Sequence, residues 1–435
     1  MREQIVFEID NVIFFKEKLL HYAKNMERFC VLNSNEWQNC NNEMIVAMDS
    51  IDEIIPSWNS FDALKKFHKE KNDWLFGFLS YDLKNEIENL SSENFDGIGF
   101  PQIHFFQPKY VFIIRNNKVE ISFLPEHSNE QEVENIFEEI INQLPITDYQ
   151  LPITEIKSRV SKEEYISIIN RIKNHIKRGD IYEMNYCIEF FATNSWINPS
   201  EVFLKLNETS QTPFSAFYRM NDTYLMCASP ERFLKKDGRK IISQPIKGTA
   251  RRGKTSTEDL ELKELLSRNE KEKSENVMIV DLVRNDLSRT CDNVKVEELF
   301  GVYAFKQLHL MISTVSGEMH KDIHFMDLIK NAFPMGSMTG APKVRAMELI
   351  EQFEKTKRGL YSGAVGYITP DGNFDFNVVI RSILYNSSSK YLSFQVGSAI
   401  TANSISENEY EECLLKAKGM FEALGVSLKQ LSVNR

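Results

Sequence analysis

Between Ser161 and Phe190 the hydrophobic period changes from that of a helix to that of a strand, with one glycine near the change. Ser161 and Glu164 have the S-x-x-E spacing of a capping box, and Tyr165, Ile168, Ile169, Ile172 and Ile176 fall on one helical face before Gly179 stops it. Tyr182, Met184, Tyr186, Ile188 and Phe190 then alternate with Glu183, Asn185, Cys187 and Glu189. That pattern predicts a strand with one apolar face and one polar face suited to lining a cavity. Further strands are predicted over 215–227, 240–244, 364–369 and 374–385, and helices over 256–287, 326–333 and 344–354. Such uneven runs favour an α+β fold with antiparallel sheets over a regular βαβ repeat. Residues 128–139 read as a solvated acidic helix, and no fixed-period repeat is present. The two prolines within 144–159 mark a connection between an N-terminal segment, 1–150, and a C-terminal block, 160–428.

The chain has 435 residues, 42% hydrophobic and 26% charged, the balance of an ordinary soluble protein. A net charge of −10 argues against a nucleic-acid partner, which needs a basic face to neutralise phosphates. Small molecules or another protein remain. MREQIVFEIDNVIFF carries acids within its apolar stretch and does not read as a signal peptide. No run approaches the roughly 20 apolar residues of a membrane span. Six cysteines, Cys30, Cys40, Cys187, Cys227, Cys291 and Cys413, form no C-x-x-C pair, so a reduced, cytoplasmic protein is expected.

Acidic residues stand in two helical stretches. Glu275 opens ENVMIVDLVRND, and Glu409 and Glu412 share a helical face in SENEYEECLLKAKGM, where Ser406 and Glu409 have capping-box spacing. Carboxylates completed by waters and an anionic ligand suit Mg²⁺ better than a softer metal. His320 and His324 lack the further ligands a zinc site needs. GSMTGAPK, residues 336–343, is a glycine-rich turn feeding a helix whose start attracts anions, but its lysine is misplaced for a Walker loop. Arg381, in VVIRSIL, is placed to grip a carboxylate. Lys247, in PIKGT, is a nucleophile if burial near a metal or near Arg251 and Arg252 lowers its pKa. Glu231, in the apolar-flanked ASPERF, is expected to shift the opposite way and stay protonated as a general acid.

Taken in order, GDIYEMN, SPERF, PIKGTARRG, ENVMIVDLVRNDLSR, HLMIS, FPMGSMTGAPKVRAMELI, RGLYSGAVGY, VVIRS and ENEYEE resemble the chorismate-utilising enzymes over roughly residues 160 to 425. The N-terminal FGFLSYDLKNEIENL is similar to a segment of aminodeoxychorismate synthase component I. The resemblance implies a four-layer α/β/β/α fold, a large antiparallel β-sandwich flanked by helices like anthranilate synthase component I, with residues 1–150 adding strands. Lysine in PIKGT resembles aminodeoxychorismate synthase, whereas anthranilate synthase typically carries PIAGT.

That resemblance implies amination of chorismate at C4. Lys247 attacks C2 as Glu231 protonates the departing C4 hydroxyl, and ammonia then displaces the lysine to leave 4-amino-4-deoxychorismate. Implied metal ligands are Glu275 and Glu412, with Glu409 nearby. Implied substrate contacts are Gly248, Thr249, His309, Thr339, Tyr361, Arg381 and the backbone of Gly397, Ser398 and Ala399. The chain has no G-x-C-x-G cysteine, so ammonia is expected from a separate glutamine amidotransferase subunit. A tryptophan pocket edged by Pro213–Ser215 and residues 32–34 is a further family feature. Two departures stand out: Glu183 where the family often has glutamine, and the sparse glycine of 397–400. Anthranilate synthase component I and a catalytically silent chorismate- or partner-binding subunit remain the alternatives.

Overall fold

The computed structural model describes residues 1–37, 42–143, 155–426 and 432–433, so the predicted connection lies mostly outside the described residues, as does Cys40. One antiparallel sheet runs in the order Glu3–Glu8, Lys118–Phe123, Ile103–Arg115, Met44–Ile54, Arg28–Asn33, Phe214–Met220, Thr223–Ser229, Ser382–Asn386, Tyr391–Ile400 and Glu183–Ala192. A second branches from the same Ile103–Arg115 strand. It continues through Leu75–Leu79, Ala364–Ile368, Phe374–Asn377, Arg232–Asp237, Lys240–Gln244 and Leu308–Met319, the last also flanked by Ile246–Arg251 and Cys291–Ala304. The N-terminal strands therefore pair directly with C-terminal ones, at Arg28–Asn33 with Phe214–Met220 and at Leu75–Leu79 with Ala364–Ile368.

Alternation along each strand sorts the core. Val31, Val46, Phe217 and Phe394 face outward onto the helices Lys162–Lys177, Pro199–Ser210 and Ser406–Ala423. Their neighbours Cys30, Ala47, Ala216 and Cys187 face inward, onto a core shared with Phe78, Phe233 and Phe376 of the second sheet. Helices Ser60–Lys71, Glu270–Ser288 and Phe325–Ala332 cover that sheet's far side. The order is helix, sheet, sheet, helix, an α+β fold. Both faces of Glu183–Ala192 are covered, and all its residues are buried, so its polar residues must find partners inside the protein.

Several elements are shorter than their periodicity predicts. Residues 215–227 form a hairpin, turned at Asn221 with φ 52°. The predicted helix 256–287 breaks at Asn269, whose side chain caps the second piece by accepting from Lys271 N at 3.0 Å and Glu272 N at 3.2 Å. Residues 374–385 are two strands, Phe374–Asn377 and Ser382–Asn386, and Arg381 lies in the break with φ 51° rather than within a strand. Ser161 caps its helix, accepting from Glu164 N at 3.1 Å, but Ser406 does not. Ile405 precedes that helix and the Ser406 hydroxyl donates to Asn170 Oδ1 at 3.3 Å. His324 caps the helix after it through Met326 N, and His320 contacts Asp292 at 3.3 Å. The five described cysteines are free and buried. Among the described residues no helix is long and apolar enough to cross a membrane.

Candidate active site

Strand Ile246–Arg251 is bulged, its register against Leu308–Met319 shifting between Ile246 and Thr249. A bulge re-aims side chains, and here it turns Lys247 into a cavity of about 90 Å³ between the sheets. The turn needs glycine next: Gly248 has φ 105°, and a Cβ there would stand 3.0 Å from Met311 Cβ. Asn276 secures the bulge by donating to the Lys247 carbonyl at 3.2 Å, while its own Oδ1 accepts from Ser313 at 2.6 Å. Lys247 Nζ lies 2.7 Å from Glu183 Oε1, with the two side chains 9% and 1% exposed. Burial pulls the Lys247 ammonium down, but Glu183, Glu275 and Glu231 outweigh it and the net shift is upward. This reverses the expected lowering. Arg251 and Arg252 face away, onto Glu258 and Asp259.

Glu231 follows the strand end at Ser229, and the Val378 amide donates to its carbonyl at 3.0 Å. Burial pushes its carboxyl up to about 7, against a hydrogen bond of 2.6 Å donated by Ser337 to Oε1. Arg381 reaches the same cavity from its left-handed position. Burial lowers its guanidinium to about 10, and it donates to the Lys416 carbonyl at 3.4 Å. An arginine held this way is short of acceptors, the condition in which an incoming carboxylate binds strongly.

Glu272, Glu275 and Glu412 line the cavity from two helices. Burial raises Glu275 to about 8, and its Oε1, although 3.6 Å from Lys271 Nζ, has no hydrogen-bond partner. Burial also raises Glu412, but Lys416 at 2.6 Å prevails and its carboxyl sits below the ordinary range. Among the described residues no three ligating side chains stand gathered about one point; Lys271 bridges Glu275 and Glu409, and Lys416 pairs with Glu412. The donor set is nonetheless all carboxylate oxygen, with one buried oxygen of Glu275 unsatisfied, a chemistry that suits a hard divalent cation.

Residues 26–422 match the chorismate binding enzyme family. The chain belongs to that family. It is 32% identical to aminodeoxychorismate synthase component 1 of Bacillus subtilis, over 82% of this chain and 78% of that protein. It is 31% identical to anthranilate synthase component 1 of Thermus thermophilus, over 80% and 76%. Anthranilate synthase component I from Streptococcus pneumoniae superposes with a TM-score of 0.75 at 25% identity, covering 90% of this chain and 92% of that structure.

Within this chorismate-binding chain, Lys247, Glu231, Gly248, Thr249, Tyr361, Arg381, Gly397, Ala399, Glu275 and Glu412 all border the one cavity. Four other residues expected there do not. Ser398 falls on the opposite strand face from Gly397 and Ala399, its hydroxyl 2.9 Å from that of Tyr165. Thr339 is fully buried behind the wall, donating to the Met335 carbonyl at 3.1 Å. His309 is clamped by Asp259 at 2.9 Å, and Glu409 by Lys271 at 3.1 Å. The cavity also includes Asn185, from the strand face whose polarity suited it to lining a cavity, and Glu272, Ser337, Gln395 and Lys416, which were not selected from sequence. Glu272 repeats the i, i+3 spacing of Glu409 and Glu412 on the facing helix, a signal that was available. A second cavity, about 70 Å³, is bordered by Leu32, Ser34, Pro213, Phe214 and Ser215.

Proposed function

We propose that the chain is the chorismate-aminating subunit of an aminodeoxychorismate synthase, an enzyme of para-aminobenzoate and folate biosynthesis. The observation that carries this reading is Lys247, a buried primary amine in the same cavity as a carboxyl whose pKa is about 7. Arg381 and Lys416 are the cations that anchor the substrate's carboxylates. Mg²⁺, held by Glu275, Glu412 and Glu272, supplies Lewis acidity toward the ring carboxylate when bound. Lys247 reacts from the fraction of its amine that is neutral: Nζ bonds to C2 of chorismate as the C4–O bond breaks, and Glu231 gives its proton so that water departs. Ammonia then bonds to C4 as the C2–N bond breaks and Lys247 leaves as an amine. The new C4 ammonium returns a proton to Glu231, which restores the acid. The enolpyruvyl ether is untouched throughout. Ammonia comes from a separate glutamine amidotransferase, and the second cavity is the place an L-tryptophan would take.

The near-equal identity to a named anthranilate synthase favours one second reading, in which ammonia attacks C2 and pyruvate leaves. Product mass separates them. Chorismate, Mg²⁺ and ammonium are incubated with the protein and with Lys247→Ala. A product with hydroxyl exchanged for amine, absent with Lys247→Ala, is expected. A fluorescent product lacking the pyruvyl unit refutes the reading.

A further inference from the structure

Three stretches of the cavity wall are tied together behind it by one arginine. Arg358 is buried, its side chain 1% exposed and paired with Glu354 at 2.6 Å. Its Nη1 donates to the Met338 carbonyl at 2.6 Å and its Nη2 to the Asn185 carbonyl at 2.9 Å, and Met338 and Asn185 both border the cavity. Nε and Nη2 hold the two Glu354 oxygens at 2.9 and 2.6 Å, and Glu354 accepts from Cys187 N at 2.9 Å, on the same strand as Asn185. The Arg358 carbonyl accepts from Tyr361 N at 3.0 Å, which secures a third part of the wall. On the far side the Tyr81 ring lies 4.6 Å from the guanidinium, and Asp82 accepts from Gly359 N at 3.2 Å. The N-terminal stretch FGFLSYDLKNEIENL thus backs the site while bordering no part of the cavity.

A buried ion pair contributes little stability that a well-packed apolar pair would not. What the planar fork supplies here is geometry, because it grips carbonyls from two segments far apart in the chain while a carboxylate fixes its own orientation. Met338 ends the short turn Gly336–Met338, whose Ser337 hydroxyl donates to Glu231 Oε1 at 2.6 Å. We infer that Arg358 is a positioning residue for the reaction: by clamping the Met338 and Asn185 carbonyls it fixes the turn from which Ser337 holds the Glu231 carboxyl. A lysine in its place carries the charge on one point and cannot span both carbonyls while holding Glu354. The inference rests on the reading of Glu231 as the general acid.

A kcat–pH profile tests it. The reaction needs neutral Lys247 together with protonated Glu231, so kcat climbs with pH and levels off near the Glu231 value of about 7. The Ser337 hydrogen bond lowers that value, and Lys247 and Lys416, the cations that also lower it, are left in place by the variants. Ser337→Ala is expected to move the levelling-off upward by about one pH unit. Arg358→Lys is expected to move it in the same direction, and the double variant to move it no further than Ser337→Ala alone. An arginine that served packing only would change stability without moving this value. Glu354→Gln, which releases one edge of the fork, is expected to act in the same direction and stands in if Arg358→Lys loses its native circular dichroism. An unmoved levelling-off in a folded variant, or shifts that add in the double variant, overturns the inference. Should Glu231→Gln keep the levelling-off, the acid assignment fails instead, so the two failures are distinct.

Discussion

Replacing Glu183 by glutamine should move the pH at which Lys247 becomes a nucleophile. The pair is buried with Nζ 2.7 Å from Oε1. At an effective dielectric of about 20, two unit charges at that separation attract by about 6 kcal/mol. Part of this survives the substitution, because the amide oxygen still accepts a hydrogen bond and Glu275 and Glu231 still face the ammonium. A residual loss of at least about 1.4 kcal/mol lowers the Lys247 pKa by about one unit. The sign follows from the reaction, which needs neutral Lys247 together with protonated Glu231: kcat climbs with pH up to the Glu231 value of about 7, levels off, and falls above the raised Lys247 pKa, and that fall moves to lower pH in the variant. Well below both midpoints the neutral fraction, and with it kcat, should increase several-fold. The cost appears in stability. A lysine whose folded pKa is raised stabilises the protein below its unfolded value of about 10.4, and urea denaturation at neutral pH should register the weakened pair. The assay is a kcat–pH profile with saturating chorismate and ammonia. An unmoved falling limb, or a variant slower at every pH, refutes the argument.

Glu231→Gln should lower kcat by about 10²- to 10⁴-fold, the usual worth of a general acid. Because the carboxyl is raised to about 7, its acid form is lost as pH climbs past that value. The levelling-off of the native profile near 7 should vanish in the variant, whose residual rate keeps rising with pH, and its persistence would assign it to another group. Gly248→Ala forces a side chain into φ 105° and to 3.0 Å from Met311 Cβ, and should cost about 1–3 kcal/mol in urea denaturation. Unchanged stability would mean the bulge relaxes freely. Glu272→Gln should raise the Mg²⁺ concentration for half-maximal turnover by about ten-fold or more, and an unchanged metal dependence would remove Glu272 from the metal site.

Local signals read well from sequence where local physics decides them. Ser161 caps its helix and the period-2 run after Gly179 is a strand, because hydrogen bonding and side-chain alternation act within a few residues. What escaped depends on residues far apart in the chain. Arg381 sits in a valine- and isoleucine-rich run that reads as one strand, yet the run breaks to put that arginine at the cavity. The direction of the Lys247 shift needed Glu183 across the inter-sheet space, 64 residues away in sequence, and no spacing rule pairs those two. Ser398 was expected to offer its backbone to the substrate, and its side chain, on the opposite strand face, is spent on Tyr165. Glu272 carried a readable signal that was passed over, its i, i+3 relation to Glu275.

Because Ile103–Arg115 belongs to both sheets, the order of synthesis matters to this protein. Leu75–Leu79 finds its second neighbour only when Ala364–Ile368 appears, 285 residues later (364 − 79). At about 5–20 residues per second, an apolar edge strand on a growing chain waits roughly 15 to 60 s for its partner. An exposed edge held that long invites pairing with other chains. The nascent protein is therefore expected to depend on chaperones until its last third has been translated.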